Sequence, residues 1–226
     1  MNYDDIFEAY YTLYRSVATV PTSTEDEYTI GMRLANEALS RWANYDNTFW
    51  QTLHSTPQDE GDISSVSTGV TQYDVPDNFK APGGDIKILD SSGNLVRTYR
   101  ILSPEQPQFR GEQSQYAFFT GNPNDGYQLN LNPAPDSAIN GMDIKYVYYK
   151  THTPYASGSD ISEIPNPYFV VHRILANRFR ASRNPYYTDA LRDAEDALRI
   201  MKMENDSGNW SSPISVVDNS GSTWGG

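Results

Sequence analysis

The stretch Asn166–Met203 constrains the fold more than any other part of the chain. It reads NPYFVVHRILANRFRASR and then NPYYTDALRDAEDALRIM, so each half opens on Asn-Pro-Tyr, at Asn166 and again at Asn184. An Asn side chain can accept from an orphan backbone N–H at a helix start. Proline suits the first helical position, where no donor is required. Each Asn-Pro therefore starts a helix, and the second also stops the first. Tyr168, Val171, Leu175 and Phe179 recur at three- and four-residue steps in the first half, and Leu191, Ala194, Leu198 and Met201 in the second. Two amphipathic helices joined this tightly predict an antiparallel hairpin, which must bury its apolar face against another layer.

The N-terminal segment is expected to supply that layer. Residues 3–19 carry Ile6, Tyr10, Leu13, Tyr14 and Val17 at helical spacing, and Pro21 ends the run. Thr24 and Glu27 have the spacing of a capping box for a second helix. Its stripe is Leu34, Ala35, Ala38, Leu39 and Trp42, and Phe49, Trp50 and Leu53 extend the pattern to about His54. Residues 1–66 hold three Arg, no Lys and eleven Asp and Glu, a balance of 3 − 11 = −8. The first Asn-Pro helix carries Arg173, Arg178, Arg180 and Arg183 and no acid. Acidic helices and a basic helix are natural partners, within one subunit or between neighbours.

Between the helical halves the period changes to two. Residues 55–67 are a polar linker. Val70, Gln72 and Asp74 then alternate with Thr71, Tyr73 and Val75. Segments 85–89 and 95–102 flank the turn Asp90–Asn94, and 115–120 and 127–131 flank Gly121–Gly126, so two hairpins are expected. Met142–Lys150 reads as one further strand, with Ile144, Tyr146 and Tyr148 on one side. Short strands separated by turn residues suggest a small antiparallel barrel or sandwich. The expected class is α+β: N-terminal helices over 1–66, an inserted β domain over 67–151, a helical hairpin over 152–204 completing a bundle, and an extended arm over 205–226. The arm is rich in Ser, Gly and Asn and has no Lys or Arg, yet it holds Trp210, Ile214, Val216, Val217 and Trp224. Spaced apolar anchors on a polar segment suit ordering by a partner.

Composition narrows the chemistry. A formal net charge of −12 argues against a protein that grips nucleic acid through a basic footprint. With no Cys there are no thiolate ligands and no disulfides. His54, His152 and His172 share no metal-ligand spacing. Asp189, Asp193 and Asp196 alternate with Arg192 and Arg199 and read as a salt-bridged face. The turns at Asp90–Asn94 and Asn122–Gly126 lack the register of an EF-hand loop. No nucleophile elbow, phosphate loop or dinucleotide fingerprint is present. No cofactor, metal or catalytic residue is expected. The acidic N-terminus lacks the order of a signal peptide, and no apolar run approaches the roughly 20 residues of a membrane span, so synthesis in a cytoplasm without membrane association is expected. The 17 Tyr exceed the 8 Phe and 4 Trp together, which fits half-wet contact surfaces or ordinary strands.

Several segments resemble the head–tail connector, or adaptor, proteins of tailed bacteriophages. Tyr73-Asp-Val-Pro-Asp-Asn-Phe79 is similar to that family's strand and Pro-x-x-Phe turn. Leu129-Asn-Leu-Asn-Pro-Ala-Pro135 followed by Gly141-Met-Asp-Ile-Lys-Tyr-Val-Tyr-Tyr149 is similar to its paired strands. Ile164-Pro-Asn-Pro-Tyr168 with the two closing helices resembles its C-terminal hairpin. The resemblance covers about 69–204, and the N-terminal helices more loosely. It implies a structural virion protein at the head–tail interface that joins the capsid portal to tail or stopper proteins. Copies would close into a ring, dodecameric by the resemblance, and double-stranded DNA would pass through without specific binding. Trp210, Ile214, Val216, Val217 and Trp224 would dock on the portal, and Arg173, Arg178, Arg180 and Arg183 would lie between subunits. Two other readings of the residues stay open: a carbohydrate- or surface-binding virion module, from the Tyr-rich insert, and a virion glycoside hydrolase, whose paired carboxylates only a fold can assemble.

Overall fold

A computed structural model describes residues 1–16, 20–58, 65–102 and 115–208. The fold is α+β, with four α-helices among the described residues and a curled mixed sheet that forms a half-barrel. The chain divides into two compact units. One comprises Met1–Ala38, Ala156–Asp160 and the chain from Pro165, and the other comprises Leu39–Tyr155 and Ile161–Ile164.

In the helical unit, α1 (Tyr3–Arg15) begins at Asn2. The Asp5 N–H donates to the Asn2 side chain at 2.9 Å, and the Asp5 carboxylate accepts from the Asn2 N–H at 3.2 Å. Residues 156–160 satisfy two more orphan donors of this first turn. Tyr3 N–H donates to the Asp160 carbonyl at 3.0 Å and Asp4 N–H to the Gly158 carbonyl at 2.9 Å. The loop holds its shape because the Asp160 carboxylate accepts from the N–H groups of Ala156 and Ser157, both at 2.7 Å. A Cβ at Gly158 would run into the Asp4 carboxylate, which would have to move aside.

Tyr3, Ile6, Phe7 and Tyr10 are the buried residues of α1, whereas Leu13 is 54% exposed. The expected stripe through Leu13 is thus displaced toward the N-terminus. The reason is aromatic packing: Tyr3 and Phe7 meet Tyr28 with ring centroids 5.0 and 4.9 Å apart, and Phe7 lies over Gly31, where a Cβ would come within 2.7 Å of the ring. Tyr28 and Gly31 belong to α2 (Asp26–Ala43). The reciprocal contact at its start is made by Glu25, whose carboxylate accepts from the Thr22 N–H at 2.9 Å. The expected Thr24–Glu27 box does not form, and Glu27 is used elsewhere.

The hairpin consists of α3 (Tyr168–Ala181) and α4 (Tyr187–Gly208), which pack against each other, while α3 also packs on α1. Both Asn caps act as expected: Asn166 Oδ1 accepts from Tyr168 N–H at 3.1 Å and Asn184 Oδ1 from Tyr186 N–H at 2.9 Å. At the joint the Asn184 N–H reaches back to the Phe179 carbonyl at 2.8 Å, and Arg183 takes the left-handed conformation (φ 55°) that closes such an end. The buried face of α3 is Phe169, Val170, Val171, Ile174, Leu175 and Ala176, wider than the expected stripe, and Tyr168 is 53% exposed. A helix covered on more than one side needs more apolar positions than a single seam. On α4, Ala194, Leu198 and Met201 are buried as expected. The helix runs to Gly208, past the expected start of the arm.

In the other unit α2 ends at Ala43 rather than continuing to His54. Asp46 and Asn47 sit at φ 48° and 51°, left-handed values that these two residue types tolerate and that a helix forbids. Trp50 then returns to Trp42, with centroids 5.4 Å apart, and its indole N–H donates to the Trp42 carbonyl at 2.9 Å. The Lys80 ammonium donates to the Ala43 carbonyl at 2.7 Å, a cation at a helix C-terminus. Burial holds its pKa below the ordinary lysine value.

Among the described residues nine strands follow: β1 (His54–Ser55), β2 (Gln72–Asp74), β3 (Phe79–Pro82), β4 (Ile86–Leu89), β5 (Leu95–Ile101), β6 (Tyr116–Asn122), β7 (Gly126–Asn132), β8 (Asp143–Lys145) and β9 (Tyr148–Lys150). The larger sheet has the order β2-β7-β6-β5-β4-β8, and the smaller β1-β9-β3. Both expected hairpins form, β4–β5 and β6–β7. In the first turn the Asp90 carboxylate accepts from the N–H groups of Ser92 and Asn94, both at 2.9 Å. Two expectations are corrected. The sheet is mixed rather than antiparallel, because β5 and β6 pair in parallel at Arg100–Tyr116 and Ile101–Ala117; the connection from 102 to 115 is long enough for the crossover such a pair needs. Met142–Lys150 is two strands, β8 beside β4 and β9 between β1 and β3. Its alternation survives, with Ile144, Tyr146 and Tyr148 all buried. The period-two signal marks the buried face and not the partner. The core of this unit centres on Ile86, Ile88, Tyr99, Ala117, Leu129 and Ile139.

Trp50 is 1% exposed, so Trp50→Ala is expected to lower unfolding stability by about 3–5 kcal/mol. Leu95→Ser, at an exposed position, should stay within about 0.5 kcal/mol of the wild type. Urea denaturation checks both; equal losses would remove Trp50 from its place as an anchor.

Candidate functional site

The four arginines of the basic segment do not share one environment. Arg178 points inward to α1 and α2. Its Nε–H donates to the Tyr10 hydroxyl at 3.0 Å, its guanidinium pairs with the Glu27 carboxylate, and Tyr10 O–H donates to the same carboxylate at 3.3 Å. Burial works against the charged guanidinium, but Tyr10 and Glu27 outweigh it and raise the Arg178 pKa. Burial pushes the Tyr10 hydroxyl well above its ordinary value, more than Arg178 lowers it. Arg173 reaches across the hairpin to Glu195 of α4 at 3.3 Å. Arg180, in the last turn of α3, and Arg183, at the joint, are exposed, and among the described residues no carboxylate lies in ion-pair range of either.

A second surface lies along the groove that α1 forms with α3 and α4. It comprises two shallow depressions whose linings share Leu13. On one side the groove is lined by Asp5, Glu8, Ala9, Thr12 and Tyr168, and on the other by α3 and α4, including Phe179, Tyr186 and Asp193. Tyr186 is 64% exposed, so Leu13, Tyr168 and Tyr186 together form an apolar surface open to solvent. Neither lining contains Lys or Arg.

Charge composition pointed to the Arg-rich helix and to acidic partners. It did not distinguish Arg178 from Arg180, because that depends on which carboxylate the fold brings across. The Glu27–Arg178 pair spans most of the chain, and only its chemistry was visible in the sequence. The 156–160 loop carried no recognised signal, although Ser-Gly-Ser-Asp is a self-bonding turn composition. Trp210, Ile214, Val216, Val217 and Trp224 lie outside the described residues.

Several other polar groups are engaged structurally. Asp189 and Asp193 pair with Arg192, and Asp196 with Arg199. Glu163 accepts from Lys150 Nζ at 2.8 Å and from Thr153 N–H at 3.1 Å; burial opposes its charge, yet these bonds hold its pKa below the ordinary carboxylate value. Among the described residues no cluster of His, Asp and Glu could hold a metal ion, and no helix is long and apolar enough to cross a membrane.

A family model described as SU10 adaptor protein matches residues 1–217. The chain belongs to this family of bacteriophage head–tail adaptors, structural proteins of the virion. The match begins at the first residue, so the N-terminal helices belong to it as fully as the segments that first suggested it. A comparison with curated proteins finds no match.

Arg178→Met is expected to destabilise the chain by about 2–4 kcal/mol, because it leaves Glu27 and Tyr10 partly buried without their cation. Adding Glu27→Leu should recover part of that loss. Thermal and urea unfolding of the two variants check this; an Arg178→Met variant as stable as the wild type would refute the pairing's role.

Proposed function

We propose that copies of this chain close into a ring below the capsid portal and join it to tail or stopper proteins. The observation that carries the reading is membership of the adaptor family over residues 1–217. The helices of 1–66 and 152–204 act as a bundle that builds the ring wall, and residues 67–151 form a β domain, a small barrel. The arm of 205–226 docks on the portal through Trp210, Ile214, Val216, Val217 and Trp224. The ring is dodecameric, and double-stranded DNA passes through it during packaging and ejection without specific binding. The net charge of −12 supports this, since an acidic wall repels phosphate and leaves DNA free to slide.

The basic helix serves the ring in two ways. Arg173 and Arg178 hold it against α4, α1 and α2, while Arg180 and Arg183 meet the neighbouring subunit. Arginine at a subunit boundary brings a rigid, multidentate donor that suits carboxylates.

Native mass spectrometry of the full chain and of a chain ending at Gly208, each mixed with the portal, tests the arm and the ring together. The full chain should give a complex with one adaptor per portal subunit, and the shortened chain should bind at least about tenfold more weakly. Equal binding by both would remove the arm. A monomer indifferent to portal would overturn the adaptor reading.

A further inference from the structure

We infer that the acid-rimmed groove between α1 and the α3–α4 hairpin is the seat for Arg180 and Arg183 of the next copy of this chain. The inference rests on the ring reading and adds to it the surface on the receiving side.

A closed ring of more than two subunits requires a heterologous contact, in which two different patches of one subunit meet the opposite patches of its neighbours. The helical unit carries two patches of complementary chemistry, which meet near the α3–α4 joint. One is the groove, with Leu13, Tyr168 and Tyr186 open to solvent and with Asp5, Glu8, Asp189 and Asp193 along it. Of these carboxylates, Asp5 is committed to its cap and Asp189 and Asp193 share the exposed Arg192. Glu8 is exposed and makes no ion pair among the described residues. The groove is therefore left with an excess of negative charge beside apolar surface. The other patch is Arg180 and Arg183, two exposed cations without a carboxylate partner among the described residues.

The other occupants fit less well. DNA phosphate is repelled by the carboxylates. The arm beyond Gly208 contains Asp218 and no Lys or Arg, so it offers the groove no opposite charge. A guanidinium suits the site twice over, since its plane stacks on the Tyr186 or Tyr168 ring while its edge donates to Glu8 or Asp193.

The test is a charge swap in the full chain, read as ring assembly alone and with the portal by native mass spectrometry, at low and high salt. Arg180→Glu with Arg183→Glu should weaken assembly by about tenfold or more, and Glu8→Lys with Asp193→Lys should do the same. The losses should shrink as salt is raised. Combining all four substitutions should restore assembly to within about threefold of the wild type. Circular dichroism melts verify that each variant is folded. Leu13→Ser with Tyr186→Ser, two exposed positions, removes the apolar part of the seat without reversing charge and should also weaken the ring.

Rings that form normally in every variant, or a quadruple variant no better than either double, would overturn the pairing while leaving the ring reading intact. Loss of portal binding with the ring preserved in Glu8→Lys with Asp193→Lys would give the groove to the portal instead. A wild-type chain that forms no ring in either condition would remove the ring reading and this contact with it.

Discussion

The helical unit depends on one partly buried cation. Arg178 sits on a helix segment with no acid of its own, so its charge must be met by another element or left exposed. It is met by Glu27 of α2 and by Tyr10 of α1, and the hydroxyl of Tyr10 joins the two by accepting from one and donating to the other. A group of three residues from three helices is a stronger constraint on register than an apolar stripe, because a shift of one residue in any helix would strand a charge. Tyr10 is protonated at neutral pH as any tyrosine is, and burial raises its pKa further, so its O–H can donate to Glu27. With α3 fixed in this way, Arg180 and Arg183 are left on the outside of the same helix end.

The two ends of the hairpin and its joint were legible in the sequence because they rest on local chemistry. Asn166 and Asn184 each bond a backbone N–H two residues on, and no other part of the chain is needed to predict that. The two β-hairpins were legible for the same reason, through Asp90 and the turn glycines. What sequence could not supply was the choice among equivalent faces and partners. Leu13 has the spacing of a core residue, but Tyr3 and Phe7 reach Tyr28 and Gly31 first and fill the contact. Trp50 has the spacing to continue α2, but Asp46 and Asn47 turn the chain, and the indole folds back on Trp42. Met142–Lys150 alternates without a break because both sheets bury the same side of it, so nothing in the pattern marks where it passes from one sheet to the other.

The same limit applied to the candidate interface. Four arginines without an acid neighbour signalled a basic surface, and the fold divides them between internal ties and open surface. By spacing alone Leu13, Tyr168 and Phe179, which line the groove, belong to buried stripes. In the fold Leu13 and Tyr168 are exposed and Phe179 is half-buried. Membership of an adaptor family gives that exposure a use: a protein that meets other virion components keeps apolar surface for them.

Electron cryo-microscopy of the full chain bound to its portal tests the central claim most directly. The account predicts a closed ring in which Arg180 and Arg183 of each subunit meet the α1 side of the next helical hairpin. Copies held on the portal without touching one another, or a subunit boundary made by the β-sheets alone, would contradict it.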